Sequence, residues 1–315
     1  QDQLHPEKPL RAPNSLIKPA LSQLHSIEEL NLLSKVRWDE KIGANWTVGR
    51  VSASTKLKEF SEQRLGDYDG SRDFLGENGT SQLSPHIAFG EISLREIWFK
   101  VKSFPSKADP FIRQLLWREF ANYFVFQFPE VINASWKKEF EHYPWSENKE
   151  NLKKWKRGQT GYPIIDAAMR QLWDTGWMHN RARLIVGSFL VKDLLIHWLE
   201  GAHWFWDTLV DADIANNTLG WQWVAGSGPD AAPYFRIFNP ILQSKKFDPE
   251  GVFIRKYVPI LAALPTRWIH APWEAPPAVL TDAGVVLGDN YPYPIVDHAE
   301  ARKKALLGYE KIKKN

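Results

Sequence analysis

Apolar residues recur at helical spacing along most of the chain after about residue 53. In Pro110–Phe126, large apolar side chains return every three or four residues, and a proline stands just beyond the end. No run alternates apolar and polar residues long enough to predict a sheet. The pattern therefore predicts an all-α fold. Helices are predicted at Ser54–Gln63, Ser93–Val101, Pro110–Phe126, Pro163–Asp174, Asn180–Leu199, Trp204–Val210 and Glu300–Lys314.

The first 49 residues have a different pattern. Prolines at positions 6, 9, 13 and 19 interrupt regular structure, and among these residues only Ser26–Lys35 has the spacing of a short helix. We therefore divide the chain into an extended arm or connector at residues 1–49 and a helical domain at residues 50–315.

The composition is that of an ordinary globular protein, with 43% hydrophobic residues, 24% charged residues and a formal net charge of +3. This balance neither indicates nor excludes binding to nucleic acid, because a basic cleft can lie within a balanced total. The chain has no cysteine, which excludes disulfides, thiolate metal sites and a cysteine nucleophile. Because neither a membrane-spanning apolar stretch nor a signal peptide is evident, we expect a cytoplasmic protein.

Three weaker motifs do not predict sites. Gly226–Ala231 fits the dinucleotide pattern G-x-G-x-x-A, but no predicted strand precedes it, and Pro229 and Pro233 argue against a helix after it. His179, His197 and His203 lack the spacing of metal ligands with acidic partners, so no metal site is predicted. The basic run at residues 153–157 is typical of a solvated helix face, with phosphate contact as the alternative.

The stretch that is most informative about chemistry runs from residue 160 to residue 240. Five polar residues flank one apolar segment: Asn180, Arg181, Arg183, Asp211 and Asp213. Because a buried charge is costly unless it is paired, we expect an Arg–Asp pair here. The pair is either a structural salt bridge or part of a polar collar around a ligand ring, with Trp221 and Trp223 packed against it. The 16 tryptophans of the chain similarly indicate either an aromatic core or a protein that stacks planar ligands or moves electrons.

Several longer strings resemble the flavin-binding core of photolyases and cryptochromes. They are Gly79–Pro85, Leu116–Phe120, Thr160–Arg170, Thr175–Arg183, Asp211–Asp213, Asn216–Asn217, Gly220–Trp223, Asp230–Pro240 and Asn290–His298. The resemblance extends from about residue 38 to the C-terminus, and Leu264–Trp273 resembles most the class III dimer photolyases and their relatives, the plant cryptochromes. It implies a helical FAD-binding domain that lacks the family's N-terminal α/β antenna domain, so no antenna pigment is expected in this chain.

The resemblance implies a site for FAD folded into a U shape. Its phosphate side is expected at Tyr68, Thr80, Ser81, Leu83 and Ser84, with Arg118 as a further cation. Around the flavin ring it places Asn180, Arg183 paired with Asp211, Asp213 at the polar edge, and Asn217 facing the central-ring nitrogen. An amide hydrogen-bonds that nitrogen without readily supplying a proton, so Asn217 favours the fully reduced, anionic flavin as the working state.

Three tryptophans resemble the family's electron-transfer chain. Trp221 would be nearest the flavin, Trp198 in the middle and Trp145 at the surface. Each one alone is typical of a core aromatic, but all three at matching positions favour a relay. Its role would be photoreduction of the oxidised flavin, an event separate from repair.

On the substrate side, Trp117 and Trp223 match the two walls of a cavity for a flipped pyrimidine dimer, which needs flat surfaces to replace lost stacking. Dimer photolyases usually have Glu where this chain has Gln114 and Met where it has Leu184. Gln at the first position is found in (6-4) photolyases. Those place a His pair where this chain has Asn180 and Leu184, which disfavours (6-4) repair.

The function implied is that of a deoxyribodipyrimidine photo-lyase. Such a DNA-binding flavoprotein, here expected to be a monomer, splits cyclobutane dimers in UV-damaged DNA by electron transfer from excited reduced FAD. Gln114 and Leu184 are where repair is expected to be impaired. The alternative is a cryptochrome-like blue-light photoreceptor that signals without repair. A third hypothesis is a helical nucleic-acid-binding protein that keeps the fold without the photochemistry.

Overall fold

The computed structural model describes residues 6–11, 13–15, 26, 28–33, 35–104, 107–230 and 235–313. The α-helices in these ranges are α1 (Glu40–Ala44), α2 (Arg50–Glu59), α3 (Tyr68–Ser71), α4 (Ser84–Ala88), α5 (Leu94–Lys102), α6 (Asp109–Gln127), α7 (Lys149–Lys156), α8 (Pro163–Thr175), α9 (Asn180–Ser188), α10 (Trp198–Thr208), α11 (Ile214–Ala225), α12 (Pro240–Phe247), α13 (Val252–Tyr257), α14 (Thr266–Ile269), α15 (Pro277–Asp282) and α16 (His298–Lys313). Two π-helical turns occupy Phe60–Arg64 and Phe189–Asp193, and 3-10 turns occupy Glu28–Leu30, Leu65–Asp67, Pro129–Ile132, Lys138–His142, Pro259–Leu261 and Pro272–Glu274. The described residues contain no β-strand, so the predicted all-α fold is confirmed.

Local sequence explains where several helices begin and end. The Ser93 hydroxyl accepts the backbone N–H of Glu96 and so caps α5. Pro163 opens α8, and Gly176 ends it with a φ of 66°. A Cβ at Gly176 would lie 2.6 Å from Val210 and 2.7 Å from Ile42, so the packing as well as the backbone requires glycine there.

The prediction of one continuous helix over Asn180–Leu199 is wrong. α9 ends at Ser188, a π-helical turn follows, and the chain then breaks at Leu195, whose φ is 56°. α10 begins afresh at Trp198 and includes most of the predicted segment Trp204–Val210. The hydrophobic period did not reveal the break, because residues on both sides are apolar and neither glycine nor proline marks it.

Part of the predicted arm packs against the helical domain. The ring of Trp38 stacks on Trp173 of α8, with centroids 5.5 Å apart. The indole N–H of Trp46 donates to the Thr175 carbonyl at 2.6 Å. The division at residue 49 stays a prediction. Residues 27 and 34 of the predicted short helix, Pro19, residues 231–234 of the Asp230–Pro240 motif and Lys314 lie outside the described residues.

Two hydrophobic cores position the candidate site. The larger one lies between α8, α9, α10, α11 and α13 and includes the wholly buried rings of Trp155 and Trp198. The smaller one joins α2, α5 and α6 around Phe60 and Phe111. Because α6 packs against α11, these two helices connect the cores. In the part of the chain that the structure describes, no helix has the length and apolarity needed to cross a membrane.

Candidate functional site

An ion pair connects α9 to the loop before α11. Nη2 of Arg183 donates to both carboxylate oxygens of Asp211, at 3.0 and 2.7 Å. Nε of Arg183 donates to the Met178 carbonyl at 2.8 Å. Asp211 is buried, so the expected Arg–Asp pair is present and the guanidinium group is held in one orientation.

A second ion pair connects α6 to the start of α11. Nη2 of Arg118 lies 3.0 Å from Oδ2 of Asp213. Oδ1 of Asp213 accepts the backbone N–H of Asn216 at 2.8 Å and its side-chain amide at 2.6 Å. Asp213 therefore caps α11, a structural role that its place in the sequence did not reveal.

Asn217 lies one turn before Trp221 on α11. Its side-chain amide donates to the Ala202 carbonyl of α10 at 2.9 Å. This contact fixes the amide and leaves its oxygen and its second N–H for a ligand. A group of this kind can hydrogen-bond a ring nitrogen but is a poor proton donor.

The hydroxyl-rich loop before α4 has a left-handed residue, Gln82, with a φ of 51°. The hydroxyl of Ser81 accepts the N–H of Leu83 at 3.3 Å. The hydroxyl of Ser84 accepts the indole N–H of Trp177 at 3.4 Å. These bonds hold the loop in a compact conformation and connect it to the segment just before α9.

Tyr68, at the start of α3, is part of the wall behind this region. Its ring meets Phe60 and Phe111 edge-on, at centroid distances of 5.7 and 5.2 Å. Burial raises the pKa of the Tyr68 phenol, so this hydroxyl stays protonated and can donate a hydrogen bond.

The polar groups of this region fit FAD. In the described ranges, the side chains of Thr80, Gln114 and Asn180 make no hydrogen bond within the protein. Thr80 and Gln114 are half-buried, and polar groups in such places normally have partners. Hydroxyls together with Arg118 suit phosphate groups, while Arg183 offers a charged donor to a polar ring edge.

The three tryptophans of the expected relay come from different parts of the chain: Trp198 begins α10, Trp221 is on α11, and Trp145 precedes α7. Trp221 packs on α10 at Gly201, where an added Cβ would be 2.1 Å from the indole ring, and Trp198 is one turn away on the same helix. Trp198 is wholly buried and donates its indole N–H to the Ser135 hydroxyl at 3.3 Å. Trp145 is half-buried. Trp221 and Trp198 are thus both buried and Trp145 is the most exposed of the three, while the relay itself stays a prediction.

Trp117 and Trp223 line one cavity of about 330 Å³. The other lining residues are Ala121, Asn216, Leu219, Gly220, Gly228, Pro229 and Asp230. The volume lies within the range of small-molecule sites, and two flat aromatic walls suit unstacked bases. Gln114 and Leu184 are not among the lining residues, and Leu184 instead packs against the larger core.

A separate basic groove has a volume of about 910 Å³ and shares no lining residue with this cavity. Its cationic lining residues are Arg181, Arg236, Lys246, Arg302 and Lys313. Trp223 and Arg236 both line a small cavity of about 20 Å³ that lies between the two. Sequence analysis missed the groove because its cations come from separate segments. The basic run at residues 153–157, for which phosphate contact was the alternative interpretation, does not line the groove.

Two of the segments that resemble the photolyase family, Thr160–Arg170 and Asn290–His298, have structural roles. Asp166 is wholly buried and accepts the N–H and the hydroxyl of Thr160, both at 2.7 Å, and the Tyr291 hydroxyl at 3.0 Å. It thereby joins Thr160–Arg170 to Asn290–His298. Burial raises the pKa of Asp166 even though these hydrogen bonds favour its charged form.

Two of the histidines considered as metal ligands cap helices. Nδ1 of His179 accepts the N–H of Arg181 at the start of α9. Nδ1 of His197 accepts the N–H of Leu199 at the start of α10. In both rings the proton of the neutral form is therefore on Nε2. His203 is exposed on α10.

Comparison with known proteins brings these features together. Residues 111–311 match the family model described as the FAD binding domain of DNA photolyase. The deoxyribodipyrimidine photo-lyase of Agrobacterium fabrum is 46% identical over 316 residues, which cover 98% of this chain and 66% of that protein. This chain belongs to the photolyase and cryptochrome family. The resemblance drawn from the sequence motifs is confirmed, and so is FAD as the cofactor of the matched domain.

Members of both branches of the family are similar to the chain. Cryptochrome-2 of Arabidopsis thaliana is 44% identical over 292 residues, covering 88% of this chain and 48% of that protein. The crystal structure of a class III photolyase from Agrobacterium tumefaciens has a TM-score of 0.91 at 46% identity, covering 96% of this chain and 64% of the other. The chain thus spans between about half and two thirds of the length of these relatives.

Proposed function

We propose that this chain is the FAD-binding repair domain of a deoxyribodipyrimidine photo-lyase and splits cyclobutane pyrimidine dimers in UV-damaged DNA under light. The cavity between Trp117 and Trp223 carries the proposal. A dimer flipped out of the duplex loses its stacking neighbours, and two indole walls replace them. The proposal takes the chain as a monomer that acts in the cytoplasm.

The polar residues would bind and orient the cofactor. Reduced FAD, when bound, supplies the light-excited electron that the dimer needs. Arg118 and the hydroxyls of the loop before α4 would hold the phosphates. Arg183, fixed by Asp211, would donate to the ring edge. Asn217, fixed by the carbonyl of Ala202, would contact the central ring without supplying a proton, which favours the anionic form.

The basic groove would hold the DNA backbone next to the lesion. Among the described residues, the lining contains five cationic side chains and one carboxylate, Asp73, which is already paired with Arg181 at 2.7 Å. Cations that neutralise phosphates release counterions, so affinity for DNA should fall steeply with salt. The groove would thus supply affinity, and the tryptophan cavity the preference for a flipped lesion.

The test compares Trp223→Ala with Trp206→Ala. Trp206, on α10, is exposed and does not line the cavity, whereas Trp223 is half-buried and does. Stacking contributes about 1–3 kcal/mol per base, so Trp223→Ala should bind dimer-containing DNA about 5-fold to 150-fold more weakly, while Trp206→Ala binds like the parent. Reduced parent protein under blue light should remove dimers from irradiated DNA. Persistence of the dimers, with FAD verified as bound and reduced, would overturn the proposal.

A cryptochrome-like signalling function is the second candidate. Gln114 and Leu184, which differ from the usual residues of dimer photolyases, favour it. Under this alternative, affinity for DNA would be independent of the lesion, and light would change partner contacts. The variant Gln114→Glu separates the two functions. Faster repair than in the parent would support a photolyase whose rate is limited at Gln114, and no repair by either protein would support signalling.

A further inference from the structure

His197 lies at the break between α9 and α10, where the chain also fixes Trp145. The carbonyl of Leu195, the left-handed residue at the break, accepts the N–H of Ser146 at 2.7 Å. This bond holds the segment after Trp145 against the break. The ring of His197 is oriented separately, because its Nδ1 caps α10 by accepting the N–H of Leu199 at 3.2 Å.

The imidazole ring contacts two tryptophans of the proposed relay. Its centroid lies 5.0 Å from that of Trp145, with the planes at 73°, and 5.7 Å from that of Trp198, with the planes at 30°. We propose that His197 is a proton-controlled switch on the relay: neutral His197 permits electron transfer from Trp198 to Trp221, which places the positive charge beside the imidazole ring, and protonated His197 suppresses it. This inference rests on the proposed FAD-binding function and on the tryptophan relay expected from the sequence, and it concerns photoreduction, not dimer splitting.

The switch follows from the charge that travels along the relay. Each step moves one electron inward, from Trp145 to Trp198 and from Trp198 to Trp221, and leaves one positive charge on the outer indole. A protonated imidazole near 5 Å from both outer rings repels that charge. At an effective dielectric constant between about 20 and 40, the repulsion disfavours a charge on either outer ring by roughly tenfold to a few hundredfold.

The surroundings of His197 set when it becomes charged. Burial lowers its pKa, while the carboxylates of Glu141, from the 3-10 turn 138–142, and Glu200, on α10, act in the opposite direction. Burial has the larger effect, so the neutral form is present at pH 7 and the charged form appears in more acidic solution. Glu141 also accepts the backbone N–H of Ser135 at 3.1 Å, next to the hydroxyl that receives the Trp198 indole N–H.

The charge must finally leave Trp145. Its indole N–H donates to the Phe140 carbonyl at 3.2 Å, and a carbonyl is not a base that keeps the proton. The oxidised indole would therefore lose its proton to water, and an external thiol would return one electron and one proton. The overall balance is one electron taken from the thiol for each electron delivered through Trp221.

The experiment measures the initial rate of flavin photoreduction by the FAD-loaded protein in blue light with excess thiol, between about pH 5 and 8. His197→Asn is the main variant, because an Asn side chain can still cap α10 but does not titrate. His203→Gln is the matched control, since it removes an exposed histidine of the same helix. Dividing the photoreduction rate of His197→Asn by that of His203→Gln at the same pH removes the effect of pH on the reactivity of the thiol.

We expect the parent rate to fall about tenfold or more on acidification, while the His197→Asn rate stays near its neutral-pH value. A ring-proton NMR titration of the FAD-loaded protein in the dark should show one histidine, absent from His197→Asn, that titrates in the same pH range. Equal pH profiles of parent and His197→Asn would overturn the inference. So would a His197 resonance that does not titrate where the rate falls.

Failure of the inference is distinguishable from failure of the proposed function. Trp198→Phe should abolish photoreduction if the relay operates. If it photoreduces like the parent, the relay itself is wrong and the switch with it. If Trp198→Phe is inactive but His197→Asn has the parent's pH profile, the switch alone is wrong. Dimer repair by protein reduced chemically beforehand should be the same in parent and His197→Asn.

Discussion

Gly201 is the residue against which the ring of Trp221 rests, and its replacement by alanine tests how the inner end of the relay is packed. A Cβ at Gly201 would lie 2.1 Å from Cη2 of Trp221 and 2.5 Å from Cζ2 and Cζ3. Ordinary carbon–carbon contacts are about 3.5–4.0 Å, so the indole or α10 must move by about 1.5 Å.

The surroundings leave little room for that movement. Trp221 is 3% exposed, with Phe205 and Trp155 at centroid distances of 5.0 and 6.2 Å. Gly187 of α9 is close as well, since a Cβ there would be 3.5 Å from the same ring. Overpacking costs about 1–3 kcal/mol, while alanine in a helix interior is up to about 1 kcal/mol better than glycine. We therefore expect Gly201→Ala to lower the free energy of unfolding by about 1–2 kcal/mol.

Urea denaturation followed by circular dichroism measures the stability, and the near-ultraviolet spectrum together with the photoreduction rate reports the displaced indole. The matched control is Gly220→Ala, because Gly220 is also helical but a Cβ there would have no neighbour within 4 Å. The free energy of unfolding of Gly220→Ala should be higher than that of the parent by up to about 1 kcal/mol. The reasoning is refuted if Gly201→Ala is at least as stable as the parent, with the same near-ultraviolet spectrum and the same photoreduction rate.

Two further substitutions test the polar side of the site. Asp211→Asn removes the carboxylate that pairs with Arg183. Because that arginine side chain is 26% exposed, we expect the free energy of unfolding to fall by about 2–3 kcal/mol, less than is usual when a buried pair loses one partner. Visible absorbance should also report loss of bound FAD, and unchanged stability and flavin content would contradict the expectation. Burial lowers the pKa of His179 to about 4. The unfolded chain, in which histidine titrates near about 6.5, therefore binds a proton that the folded chain does not, and stability should fall by about 2 kcal/mol from pH 7 to pH 5. The His179→Asn variant can still cap α9. In urea denaturation it should lose the part of the pH dependence of stability that comes from His179. An unchanged pH dependence would contradict the assignment of a lowered pKa to His179.

Sequence alone predicts the helical fold class because several of the longer helices have their own hydrophobic period and local end signals, but it did not predict α11, which carries Asn217, Trp221 and Trp223. Pro163–Thr175 differs from its predicted bounds by one residue, since proline opens it and glycine closes it. The expected pair of Arg183 with Asp211 follows from the cost of an unpaired buried charge. The basic groove has no such local signal, because Arg181, Arg236 and Arg302 come together only in three dimensions.

The sequence also did not reveal the break between α9 and α10, because no local signal marks it. This break matters more to the proposed chemistry than a helix end that differs by one or two residues from its predicted position. The residue that restarts the helix is a histidine, whose Nδ1 receives the backbone N–H two residues later, as it does at His179. From sequence, both histidines were only weak metal candidates. The capping bond fixes the tautomer and the ring plane of His197, and the left-handed Leu195 brings Trp145 alongside it. One local conformation therefore ends a helix, starts the next and sets the distance between a titratable ring and two tryptophans. If the proposed relay operates, its photochemical properties depend on a turn that hydrophobic periodicity does not predict.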